Sequence, residues 1–146
     1  MRRAHRETLR AFPTDFRGMQ VFAAEVARQL GLPIADVIVT AGAEAANVRR
    51  ITIQVVDRLE TQWTARWEAL VWLSSTDGGD TAAADGSTIV NGTAIQTITT
   101  DGAWRFISDA NGRIVIDVEL SGAGTRYVAV SIAGGQVRYS SAFAWT

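Results

Sequence analysis

The chain has 146 residues and no cysteine, so neither disulfides nor thiolate metal sites can hold it together. It also has no lysine, all fourteen basic residues being arginine. A GC-rich coding background is the simpler reading; selection for arginine at bidentate, weakly hydrated contacts is the other. The single histidine, His5, lies in an arginine-rich stretch with no plausible serine partner, which excludes Ser-His-Asp and Cys-His catalytic arrangements. A metal site made of histidines is excluded by count. Long hydrophobic runs are missing too. No stretch of about 18 apolar residues could span a bilayer, and Glu7, Arg10, Asp15 and Arg17 interrupt the chain after Met1-Arg2-Arg3, so a secretory leader is not expected. A net charge of −1 gives no global field for nucleic acid or an anionic membrane, and neither partner is expected.

What is present is 47% hydrophobic and 20% charged residues, the balance of a soluble globular chain long enough for one domain with a real core. The charge is uneven. Residues 1–36 carry six arginines against four acids, and residues 37–146 carry eight against eleven. The chain divides at the same place, into an N-terminal arm and helix over 1–36, a docking element, and a β domain over 37–146.

The strongest local signal is the turn Ser108-Asp109-Ala110-Asn111-Gly112. Asn-Gly tolerates the positive φ that tight hairpin turns need, and the β-rich runs on either side predict a hairpin. After it, Ile114, Ile116, Val118 and Leu120 alternate with Val115, Asp117 and Glu119, the period of a half-buried strand. Similar runs occupy 37–41, 48–57, 66–75, 88–99, 103–108, 125–132 and 136–145, separated by Gly, Asp and Asn turns. Seven to eight short strands at this spacing predict a mainly β, antiparallel sandwich. In 66–75, Trp67, Ala69, Val71 and Leu73 share one face while Leu70 and Trp72 are apolar on the other. That predicts a central strand with one side on the core and the other against the helix or a neighbour.

The helix is expected over 15–30. Thr14 or Asp15 can cap it and Gly31 with Pro33 ends it, while Phe16, Met19, Phe22 or Ala23, Val26 and Leu30 form an apolar stripe. The words Ala24–Leu32 are similar to the first helix and turn of a helix-turn-helix motif. The motif needs a recognition helix straight afterwards, and here the chain turns β-branched at Val37-Ile38-Val39, so DNA binding is not expected. Residues 1–13 read either as a disordered terminus or as an arm that orders on a partner, with Arg2, Arg3, Arg6 and Arg10 meeting acids and Leu9 and Phe12 as apolar anchors.

No enzyme, metal or cofactor signature emerges. Asp77, Asp80, Asp85, Asp101 and Asp109 fall in loops, where Asp and Gly are ordinary turn residues; a calcium loop around Asp77-Gly-Gly-Asp80 is the less favoured reading, since the spacing of an EF-hand is not met. Of five tryptophans, Trp67 and Trp72 read as core, and Trp63 and Trp104, near loops, as possible exposed aromatic contacts.

Several segments carry a resemblance: Ile51-Thr-Ile-Gln-Val-Val-Asp57, Val71-Trp-Leu-Ser-Ser75, Ser108-Asp-Ala-Asn-Gly-Arg-Ile-Val-Ile-Asp-Val118 and Tyr127-Val-Ala-Val130. Together these resemble the bacterial immunoglobulin-like domains of adhesins and phage particles. With Ala43-Glu-Ala-Ala-Asn47 and the 108–146 tail, the chain over 40–146 resembles small virion proteins of tailed phages and prophages, of the head-decoration or head-fibre type. The resemblance implies an immunoglobulin-like sandwich, no catalytic residue and no cofactor. It also implies a place in the virion after assembly in the bacterial cytoplasm, and a partner in the major capsid protein, another virion protein or a second copy of the chain. Docking residues are then expected in the N-terminal segment: Arg2, Arg3, Arg6, Leu9, Arg10, Phe12, Phe16, Met19, Phe22 and Val26. The alternative is a receptor- or carbohydrate-binding module of a phage tail or fibre, or of a bacterial surface, using the 76–87 loop with Trp63 or Trp104.

Overall fold

The computed structural model describes residues 36–57, 59–132 and 137–146. The arm over 1–13 and the helix expected over 15–30 lie outside the described residues. Among the described residues, every regular element is a strand. The first sheet is built from β1 (Asp36–Ala41), β2 (Val48–Val56), β7 (Arg113–Glu119) and β4 (Gly86–Asn91), side by side in that order. The second runs β10 (Phe143–Trp145), β8 (Gly124–Ile132), β3 (Glu68–Ser74), β6 (Ala103–Ile107) and β5 (Thr93–Thr99). A short β9 (Val137–Tyr139) shares the β10 edge of β8. All pairings are antiparallel.

The strand order explains the sandwich. Strands β1-β2-β7-β4 correspond to the A-B-E-D sheet of an immunoglobulin domain, and β10-β8-β3 to its G-F-C sheet. The β5–β6 hairpin widens the second sheet, and it is inserted between the D and E equivalents rather than between C and D. Strand β5 is an exposed edge, and two register shifts along it break up the row of free backbone groups.

Period-two patterning places the core between the sheets. From the first sheet come Val37, Ile51, Ile53, Val55, Ile114, Ile116 and Val118; from the second come Ala69, Val71, Leu73, Trp104, Phe106, Val128 and Val130. Trp67 and Trp145 close its ends.

Three expectations need correction. The run 88–99 is two strands: Asn91-Gly92 ends β4 in the first sheet, and the chain then crosses to begin β5 in the second. The run 136–145 likewise divides into β9 and β10, giving ten strands among the described residues instead of seven or eight. The Asn111-Gly112 turn is not a hairpin turn either. It leads from β6 in the second sheet to β7 in the first. The positive φ is as expected (Gly112 has φ 72°), but the strands it joins face each other across the core instead of pairing.

Candidate functional site

The turn after β6 is the joint of the sandwich. Asp109 accepts hydrogen bonds at Oδ1 from the backbone N–H groups of Asn111 and Arg113, each 2.9 Å away. Its Oδ2 accepts from the Asn91 side-chain amide at 3.0 Å, so the two places where the chain changes sheets are tied together. Partial burial works against the charge of Asp109, yet these donors and the nearby Arg113 charge hold its carboxyl below the ordinary range. The Gly112 carbonyl accepts from Trp67 Nε1 at 2.9 Å, from the Val55 N–H at 3.2 Å and from Gln54 Nε2 at 3.2 Å. With φ 72° and a Cβ that would collide with the Trp63 carbonyl oxygen, the position requires glycine.

A second group of contacts locks the C-terminal strands to the first sheet. Arg49 reaches from β2 to the Ala144 carbonyl at 2.6 Å and to the Gly42 carbonyl at 2.7 Å, with its guanidinium 5.7 Å from the centre of the Trp145 ring. Glu44 accepts from the Thr146 N–H at 2.9 Å. At the other end of that edge, Arg138 of β9 donates to Asp36 of β1 at 2.6 Å.

Outside the core, the two sheets present different chemistry. Register puts Thr40, Thr52, Gln54, Arg50, Asp117 and Thr88 on the outer face of the first sheet, together with Ile38, 39% exposed, and Val115. Arg50 and Asp117 form a two-pronged ion pair at 2.7 and 2.8 Å, whose hydrogen bonds lower the Asp117 pKa and raise that of Arg50. On the outer face of the second sheet, register puts Leu70, Trp72, Ile107, Tyr127, Val137 and Tyr139. Leu70 is 38% exposed and Tyr139 40%. Trp72 and Tyr139 meet edge to face with ring centres 6.2 Å apart, and Ala129, between them in register, is fully covered. Beside Leu70, a shallow depression of about 260 Å³ is lined by Glu68, Leu70, Arg105 and Ser131, with Arg105 paired to Glu68 at 2.7 Å.

The expected docking residues Arg2, Arg3, Arg6, Leu9, Arg10, Phe12, Phe16, Met19, Phe22 and Val26 lie outside the described residues. Trp63 is half-buried and rests against the core. Trp104 is a correction: it is 2% exposed, pointing inward from β6 and lying 5.9 Å from Phe106. Trp72 is corrected the other way, since it stands on the outer face. The strand period could have exchanged these two, because Trp104 and Phe106 flank the charged Arg105. The glycan-binding alternative thereby loses one of its two aromatic platforms.

The aspartates expected in loops serve separate turns. Asp85 accepts from the Ser121 N–H at 2.6 Å and hydroxyl at 2.8 Å, which lowers its pKa. Asp101 accepts from Ser87 at 2.6 Å. Among the described residues, no three His, Cys, Asp or Glu side chains converge as metal ligands would. The buried polar side chains Ser74 and Ser108 are engaged with neighbouring backbone.

No family model matches the chain, and no curated protein does. Solved structures include a β-glucuronidase of Parabacteroides merdae, with TM-score 0.44 and 17% identity, over 75% of this chain and 12% of that one. A Nocardia farcinica protein described as having an immunoglobulin-like fold is similar at TM-score 0.32 and 16% identity, over 70% of this chain and 81% of that one. Neither likeness, at such scores, bears on what this chain does.

Proposed function

We propose that the chain is a non-enzymatic structural protein of a tailed-phage virion, a rigid immunoglobulin-like body that decorates or projects from the capsid through residues 1–36. The observation that supports this reading is that the described residues pair two sheets around a buried core. Both sheets are paired, the core is filled, and Arg49, Glu44 and Arg138 fasten the last strands to the first. On this reading the apolar and arginine-rich segment ahead of Asp36 is the attachment element. Its arginines suit carboxylates on a capsid surface, and its apolar residues supply the buried centre that a stable interface needs.

Particles assembled with a chain lacking residues 1–30 test the proposal. The truncated protein is expected to accumulate folded in the cell and to be missing from purified particles. Incorporation at the normal level would overturn the reading.

A further inference from the structure

Charged groups close the side of the sandwich where β1, β9 and β10 end the sheets: Arg49 and Glu44 hold β10 and the residue after it, and Arg138 of β9 holds Asp36 of β1. The other side is formed by β4, the last strand of the first sheet, and β5, the last of the second, joined through Asn91-Gly92. Residues 86–100, which contain both strands, are the longest run in the chain without a charged residue. The acids that flank the run are engaged, Asp85 by Ser121 and Asp101 by Ser87. Sheet edges are ordinarily guarded by charge. This one is not.

Three irregularities fall in the run, and each has the same result. Val90 is skipped between Ile89 and Asn91, which pair with adjacent residues of β7. Ile95 and Ile98 are skipped in the same way against β6. The extra residue of a bulge has no cross-strand partner, and the bend re-aims it. Here all three are β-branched and apolar, and they are 41, 44 and 53% exposed. Ile89 is exposed beside them. Bending the edge needs no apolar side chain at these places; threonine, abundant in the same run, would serve.

We propose that this side of the sandwich is a homodimer interface, the 86–100 strip of one chain packing on the same strip of a second copy about a two-fold axis. A surface that meets its own image must be self-complementary. Val90, Ile95 and Ile98 bury against their own kind. Thr93, Thr97 and Thr99 carry hydroxyls that both donate and accept, so they too can pair with their image. A charged group near the axis would face its own like, and the run has none. A charged partner finds nothing here to pair with. The bulges also limit the contact. They interrupt the row of free N–H and C=O groups, so a second copy meets side chains instead of extending the sheet, and association stops at two. The inference goes beyond the virion reading and does not depend on it, because its test uses the free chain without any particle.

Sedimentation equilibrium of the full-length chain is that test. An interface of two edge strands is at the small end of specific contacts, so a dissociation constant on the order of 10 µM is expected. The mass should rise from 15.7 kDa toward twice that value as concentration passes through this range. A chain carrying Ile95→Arg and Ile98→Arg should stay monomeric with an unchanged urea midpoint, because both positions are exposed and unpaired. A chain carrying Ile95→Asp and Ile98→Asp should also be monomeric alone. An equal mixture of the two should recover the dimer, since arginines then meet aspartates across the axis. A monomeric wild-type chain, a dimer that survives the arginines, or a mixture that stays monomeric would each overturn the proposal. So would a monomeric wild-type chain whose arginine variant is lost from particles, since another virion protein would then be the cover.

Discussion

On the outside of the first sheet, Arg50 grips Asp117 amid threonines and Gln54; on the outside of the second, Trp72 meets Tyr139 edge to face beside Leu70 and Val137. The strands beneath obey the same alternation and feed the same core. The difference lies in the residues at the off-core positions. β2 and β7 fill most of them with Thr, Gln, Arg and Asp, which water solvates, whereas β3 sets Leu70 and Trp72 between Glu68 and Ser74. Each exterior carries an ion pair, and the second adds the Trp72–Tyr139 aromatic pair beside Leu70 and Val137.

The joint that holds the two sheets in this relation is the most sensitive point. Gly112→Ala forces an L-residue into positive φ and against the Trp63 carbonyl, and is expected to cost about 3 kcal/mol. Urea unfolding should show a lowered midpoint, and retention of the wild-type midpoint would mean that the joint does not hold the sheets. Next comes a matched pair across the comparison. Trp72→Ala removes half-buried aromatic surface and its Tyr139 contact and should cost about 2 kcal/mol. Thr52→Ala on the other exterior should stay within about 0.5 kcal/mol.

Acid should have a smaller effect, carried partly by the first sheet's exterior. The folded-state pKa values of Asp85, Asp109 and Asp117 are all lowered. Their contribution to stability is therefore fully present above the unfolded carboxylate value of about 3.9 and is lost as pH falls through the lower folded values. Melting temperature should decline below about pH 4, and Asp117→Asn should make that decline shallower. At neutral pH the same substitution should cost less than about 1 kcal/mol, because the pair is largely solvated.

The fold was legible where alternation was strong. Ile114, Ile116 and Val118 announce an inward face, and Trp67 to Leu73 announce a central strand; the structure has both. The crossings between sheets were not legible. Thr88 to Thr99 is one uncharged, β-rich run, and nothing local distinguishes Asn91-Gly92 as a change of sheet. Asn111-Gly112 declared its backbone conformation but not its destination, which is set by distant donors on the Gly112 carbonyl, among them Trp67 Nε1. The apolar exterior was half legible: Leu70 and Trp72 were recognisable as a second face, whereas Val137 and Tyr139 join it only through the pairing of β9 with β8.

Paired substitutions in the full-length chain, Leu70→Glu and Thr40→Glu, compared by urea unfolding, test the contrast between the two exteriors most directly. Thr40→Glu is predicted to leave stability within about 0.5 kcal/mol, and Leu70→Glu to cost about 2 kcal/mol, as a charge placed in the apolar patch beside Trp72 does. Equal, small effects at both positions would mean that the second exterior faces water as the first does, and would contradict the account.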